Sequence, residues 1–159
     1  MSLWEIRPVT AEELEPVYSI FAACIFPCWR KETFAARLND SHAVVLAAWE
    51  GGTPVGFVDG ECRFGVCELN NIAVLPEHRR RGAGNALLLA LGREAGQRDC
   101  VAIQLEVRQS NQTALHFYRE NGFVQAGRRK HYYTAPVEDA LLLDKCLPKE
   151  EREDEIAGD

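Results

Sequence analysis

No uncharged run in this 159-residue chain exceeds the 14 residues from Pro16 to Trp29, which hold two prolines and follow Glu12, Glu13 and Glu15. A membrane span needs about 20 apolar residues, and a secretory signal needs a basic flank before its apolar stretch. The run suits neither, and the expectation is a soluble, cytoplasmic protein without a membrane partner. Basic residues are also in short supply, 18 Lys and Arg against 24 Asp and Glu for a net charge of −6. Neutralising a nucleic-acid backbone takes a dense basic face, so direct nucleic-acid binding is not expected. Nucleotide signatures are missing as well. Gly82 and Gly84 begin a G-x-G pattern, but Leu87 stands where a third glycine would complete it, and no P-loop motif is present. Six cysteines (Cys24, Cys28, Cys62, Cys67, Cys100, Cys146) lack the paired C-x-x-C and histidine spacings of zinc sites. We therefore expect no metal, and reduced thiols that act as small buried hydrophobes.

What is present is an ordinary globular composition, 47% hydrophobic and 26% charged, with neither internal repeat nor linker. Lys149 to Asp159 carries six acids against two basic residues, a local net of −4, which leaves −2 for the other 148 residues. The expectation is one domain over 1–148 and an acidic, disordered tail over 149–159.

Leu3 to Pro8 alternates like a short strand. Thr10 with Glu13 forms a capping box that predicts a helix, with Leu14, Val17, Tyr18, Phe21 and Ile25 as its buried stripe and Pro27 as its stop. A short helix is expected near Lys31 to Asn39. Strands over Ala43–Trp49, Pro54–Glu61 and Cys67–Val74 read as an antiparallel meander turned at Gly51-Gly52. Beyond Pro76 the pattern predicts a helix from Gly82 to about Gln97, a strand over Val101–Val107 and a helix from Asn111 to about Asn121. Gly122 is its left-handed cap, extended chain resumes at Phe123, and a last strand covers Ala140–Cys146. An antiparallel half joined to a βαβ half indicates a mixed α/β (α+β) single domain.

The most informative segment runs from Asn71 through Asn85: a strand, a basic loop, then a helix opened by two glycines. Helix-start N–H groups are unpaired and partly positive, and glycines let phosphate oxygens approach them closely. A glycine N-cap beside a solvated basic turn is the plain alternative. Glu106 is a charge inside an otherwise apolar strand, either a base or the solvent-facing member of an alternating pattern. Tyr118 is either a proton donor or a core aromatic, and Tyr132 and Tyr133 either line a cleft or pack a hairpin.

Arg79, Gly82 and Gly84 meet the pattern [QR]-x-x-G-x-[GA]. Leu105-Glu-Val-Arg-Gln-Ser-Asn and a later Tyr118-x-x-x-Gly122-Phe123 follow it. On these residues the chain resembles the GNAT acetyltransferases. Within them it is most similar to the RimI-type ribosomal-protein-alanine N-acetyltransferases, which share Asn71 to Val74, Leu105 to Ala114, the Tyr132-Tyr133 pair and Glu138 to Ala140. The likeness is strong over Asn71 to Leu147; before Asn71 only element order agrees. It departs in Arg79, where glutamine is commoner, and in the acidic tail.

The resemblance implies the GNAT fold, a central mostly antiparallel sheet splayed at the cofactor site and flanked by helices, with acetyl-CoA as co-substrate. It also implies that Arg79 to Asn85 (Arg79, Arg80, Arg81, Gly82, Ala83, Gly84 and Asn85) bind the cofactor, with the stretch from Arg80 holding its pyrophosphate. Ile72, Ala73 and Val74 would pair with the pantetheine, and Asn111 would hold its amide portion. Glu106 would be general base, Tyr118 general acid, and Tyr132 and Tyr133 would bind the acceptor. That acceptor would be a protein N-terminus, such as that of a basic ribosomal protein, attacked directly in a ternary complex. The rivals are a GNAT acting on a small amine or lysine side chain, and a non-catalytic acyl-CoA sensor.

Overall fold

The computed structural model describes residues 4–148. The expectations for Leu3 and for the tail over 149–159 lie outside them. The elements run β1 (Glu5–Pro8), α1 (Leu14–Cys24), α2 (Lys31–Arg37), β2 (Ala43–Glu50), β3 (Thr53–Arg63), β4 (Val66–Val74), α3 (Ala83–Gln97), β5 (Ala102–Arg108), α4 (Gln112–Glu120), β6 (Val124–Thr134) and β7 (Val137–Cys146), with 3-10 turns at Ala11–Glu13 and Pro76–His78. The strands form one seven-stranded sheet in the order β1-β2-β3-β4-β5-β7-β6. Every neighbour pair is antiparallel except β4 and β5. The expected meander and βαβ half are both there.

Strand alternation sorts side chains onto two faces. Val44, Leu46 and Ala48 of β2, Ile103, Leu105 and Val107 of β5, and Leu141 and Leu143 of β7 share a core with Leu87, Leu88 and Leu91 of α3 and Leu115 and Tyr118 of α4. On the other face Val45, Ala47, Trp49 and Phe57 pack against Val17, Ile20 and Phe21 of α1 and Phe34 of α2. Gln104, Glu106 and Arg108 of β5 therefore point to the α1/α2 side of the sheet.

Local differences from the expected elements have physical causes. The Thr10/Glu13 capping box forms, with Thr10 N–H donating to Glu13 at 3.0 Å, yet it opens a 3-10 turn and α1 begins only at Leu14. Glu13 also binds Arg7 at 2.8 Å, which ties the turn to β1. In the stripe of α1, Ile20 is buried, while Leu14, Tyr18 and Ile25 are only partly covered. α2 ends at Arg37 because Asn39 and Asp40 donate three residues back to Ala36 and Arg37, a tightened last turn. All six cysteines are free thiols, but only Cys62, Cys67 and Cys100 are buried; Cys24 and Cys28 are half-buried and Cys146 is exposed. Among the described residues no helix is long and apolar enough to cross a membrane.

Asp59 is the one fully buried charged or polar residue among those described. Arg37 reaches it at 3.0 Å, and Asn71 Nδ2 donates to its other oxygen at 3.2 Å. Burial lifts its carboxyl above the usual range, against the pull of Arg37 and Asn71. The cluster fastens α2 to β3 and β4 on the face that Glu106 shares.

Candidate active site

β4 and β5 pair over three residues only, Val66 with Ala102, Cys67 with Ile103 and Glu68 with Gln104. Beyond that, β4 stays with β3 and β5 with β7, so the sheet splits into a wedge. Asn70 is the extra residue of a bulge, since Asp59 pairs with Asn71 and Gly60 with Leu69. Such a bulge bends its strand and re-aims the residues beyond it. Leu75 N–H donates to Val55 O at 2.9 Å. By the two-residue alternation of a strand, Ala73 also faces β3, while Ile72 and Val74 turn their backbone groups into the wedge. The Val74 carbonyl is already occupied, accepting from Arg79 Nε at 2.8 Å. Ile72 and the Val74 N–H have no strand to bind.

At the mouth of the wedge α3 begins. Gly82 is its N-cap at φ 91°, a left-handed conformation that favours glycine, and Arg80 just before it has φ 63°. Among the described residues none of the six consecutive N–H groups from Arg80 to Asn85 donates to a backbone or side-chain acceptor. A Cβ on Gly84 would lie 3.1 Å from the Phe117 ring of α4, so glycine there also lets the two helices close up. The three arginines have separate fates. Arg79 braces the end of β4, Arg81 pairs with Glu50 at 3.0 Å, and Arg80 makes no ion pair among the described residues. The loop thus presents a row of open N–H groups beside the Arg80 guanidinium, which is unpaired among the described residues.

On the α1/α2 side of the wedge, Glu106 is 23% exposed and pairs with Arg129 of β6 at 3.1 Å. Tyr132 bonds the same carboxylate, and that hydrogen bond lifts its phenol above the ordinary value. Tyr133 packs edge-on against Tyr132 with centroids 5.1 Å apart, and Arg108 lies 4.3 Å over its ring; burial raises its phenol too. Two irregularities of β6 against β7 put them there, the larger falling between Arg129 and Tyr133.

On the other side, Tyr118 is 8% exposed, set between Phe117 and Phe123 with ring centroids 5.4 Å away. Its phenol is pushed up to about 12 by burial. The hydroxyl makes no hydrogen bond among the described residues, yet it is not among the sealed polar atoms and so touches accessible space. Asn111 caps α4, accepting from Ala114 N–H at 3.1 Å, which leaves its amide NH₂ free to donate.

The structure thus gathers Glu106, Tyr132 and Tyr133 on one face of the wedge, with Tyr118, Asn111 and the 80–85 loop beside the other. Sequence reasoning missed Arg129 as the partner of Glu106. It also missed Cys24, whose Sγ lies 3.8 Å from Val74 O and brings α1 to the wedge.

Comparison with known proteins agrees with this geometry. The profile of the acetyltransferase (GNAT) family matches residues 14–123. The chain is 34% identical over 120 residues to the ribosomal protein bS18-alanine N-acetyltransferase of Escherichia coli K12, covering 74% of this chain and 80% of that protein. It is 37% identical over 120 residues to the N-alpha-acetyltransferase RimI of Mycobacterium tuberculosis, covering 72% and 73%. The crystal structure of the Escherichia coli ribosomal-protein-S18-alanine N-acetyltransferase superposes with a TM-score of 0.81 at 29% identity, over 91% of this chain and 94% of that one. With a split sheet, an open row of N–H groups at the start of α3 and a family profile over most of its length, the chain belongs to the GNAT family of acetyltransferases.

Proposed function

We propose that the protein moves the acetyl group of acetyl-CoA to the N-terminal α-amine of a protein, with alanine-initiated ribosomal proteins as the acceptor class. The wedge carries this reading, because it opens a path between a phosphate-binding loop on one side and a carboxylate on the other. The relatives' names support the choice of acceptor.

Bound acetyl-CoA supplies the thioester carbonyl. The six free N–H groups from Arg80 to Asn85 and the Arg80 guanidinium suit its pyrophosphate. Ile72 and the Val74 N–H suit the amide-rich pantetheine, which adds as a strand would, and the Asn111 amide offers a further donor. Glu106, held by Arg129 and Tyr132, takes a proton from the incoming ammonium directly or through water. Tyr118, kept protonated by its burial, gives a proton to the departing sulfur. A thiol is ordinarily more acidic than a phenol, but the same burial destabilises a thiolate beside it, so the donor need not be a strong acid.

The acceptor preference follows from amine acidity. At pH 7 an α-amine with pKa about 8 is neutral in roughly a tenth of molecules, whereas a lysine near 10.4 is neutral in only about a few per ten thousand. One modest base suits the first. The test is a competition between an alanine-initiated basic peptide and its N-terminally blocked, lysine-containing twin, with the acetyl position read by mass spectrometry. Exclusive α-acetylation supports the reading; equal rates on the blocked peptide make this a lysine enzyme, and no thiol release with either makes it a sensor.

A further inference from the structure

At the pole of the sheet opposite the mouth of the wedge, β3 turns into β4 through Phe64 and Gly65, both with positive φ (54° and 77°). This is the two-residue hairpin connection whose twist matches its strands. Arg63 and Val66 flank the turn, and the next pair inward is Cys62 opposite Cys67. Cys62 N–H donates to His42 O at 2.8 Å, away from β4. The Cys62/Cys67 pair is therefore a non-hydrogen-bonded one, in which facing Cα atoms stand about 4.5 Å apart and the side chains are at their closest. A disulfide needs Cα atoms roughly 4.4–6.8 Å apart. Both side chains point to the α3 face, where Cys100 joins the same buried cluster. A cavity of about 340 Å³ opens onto this cluster, lined by Ser41, His42, Cys62, Gly65, Arg98 and Cys100. Cys67 is sealed behind it. The acetyl-transfer machinery uses none of these residues: they sit at the C-terminal end of α3, roughly 22 Å along a 15-residue helix from the proposed anion cradle.

We infer that Cys62, Cys67 and this cavity form a thiol modification site, in which Cys62 reacts with a small-molecule disulfide and Cys67 resolves the adduct into a cross-strand disulfide. The Cys62 sulfur attacks one sulfur of glutathione disulfide; a protein–glutathione bond forms, and the first glutathione leaves as a thiolate that takes up a proton. Cys67 then displaces the second glutathione, losing its own proton. Two protein thiols are oxidised and one glutathione disulfide is reduced to two thiols. The division of roles matches the surroundings. The Cys62 thiol is pulled below its ordinary value by its hydrogen bond with Cys67, helped by Cys100 and the Arg98 charge, which favours it as the attacking thiolate. Cys67 is raised by that same hydrogen bond and by burial, and burial first of all lifts Cys100 to about 12. The attacking thiol is also the one at the cavity, while the resolving thiol is protected until an adduct places a disulfide sulfur before it. Cys67 lies one residue before the end of β4–β5 pairing, so the bond closes the hairpin at the base of the wedge.

The experiment treats the full chain, folded, with glutathione disulfide, blocks remaining thiols and maps peptides by mass spectrometry. The expected product has lost two hydrogens and links the Cys62 and Cys67 peptides, and in Cys67→Ser the reaction stops with one glutathionyl group on Cys62. Glutathione on exposed Cys146 alone, with Cys62 still reduced, overturns the proposal, as does a linkage of Cys62 to Cys100 that excludes Cys67. The mapping on the unsubstituted chain decides the matter even if the variant does not fold.

Discussion

The two edges of β4 have opposite fates. Towards β3, the strand is paired from Val66 to Val74 with only Asn70 bulged out. Towards β5, pairing ends after three residues. Because backbone groups point alternately to either side, a single strand can be scaffold along one edge and binding surface along the other. The closed edge is pinned by Asp59, whose buried charge is met by Arg37 and Asn71. Beside the open edge lies Tyr118, buried as well but with its hydroxyl unpartnered among the described residues. A buried polar group with partners holds structure together; one without them, at an accessible spot, is poised to meet a ligand.

Damage at the open edge should appear in turnover. Glu106→Gln keeps the shape and removes the proposed base, so kcat should fall by about 10²–10⁴-fold while acetyl-CoA affinity, read by calorimetry, stays put. Wild-type turnover at saturating substrates would make Glu106 a mere partner of Arg129. Tyr118→Phe should lower kcat towards the smaller end of the same range and leave the unfolding midpoint almost where it was, since no hydrogen bond is lost inside the protein.

At the closed edge the effect should be on stability. Asp59→Ala breaks a buried ion pair, a change worth about 3–5 kcal/mol. The lower end is expected, because Glu61 at 2.6 Å and the Gly60 carbonyl at 3.1 Å still hold Arg37. Urea unfolding measures it, and a loss under about 1 kcal/mol would remove Asp59 from its pinning role. The pH dependence has a definite sign. Folding raises the Asp59 carboxyl, so its titration contributes stability that is fully present below the unfolded value near 3.8 and is lost as pH rises through the folded value. The wild type's advantage over Asp59→Asn should accordingly be greatest in acid and shrink as pH rises. An advantage that grows with pH would mean that the Arg37 attraction outweighs burial.

The two edges also differ in how legible they are in the sequence. The proposed anion cradle reads directly, because its features are contiguous: Gly82 and Gly84 open α3, and the open N–H groups belong to neighbouring residues. Gly122 as a left-handed cap is local in the same way, and it has φ 89°. The wedge does not read, since nothing about Asn70 announces a bulge; that depends on Asp59 and Asn71 meeting across the ladder. Arg129 reaches Glu106 only because β7 lies between their strands, a fact of topology. The role of Asp59 stays hidden too, since its partner Arg37 comes from a separate helix. The family resemblance supplied Glu106 and Tyr118 by position, and the structure adds what surrounds them.

The smallest effect should come from Arg80, and it separates a binding cation from bracing ones. Arg79 is committed to Val74 O and Arg81 to Glu50, whereas Arg80 is exposed and unpaired among the described residues. An exposed charge pair is worth up to about 1 kcal/mol, so Arg80→Ala should raise the KM for acetyl-CoA by at most about fivefold. Since the Debye length is about 10 Å at 0.1 M salt, the difference from wild type should be clearest in dilute buffer and fade as salt is added. Arg81→Ala should shift KM less, because Glu50 already neutralises that charge. Steady-state titrations of acetyl-CoA at several salt concentrations give all of these numbers. If Arg80→Ala matches wild type at low salt while Arg81→Ala does not, the phosphate-facing cation has been misassigned, and the Arg81–Glu50 pair must open when the ligand binds.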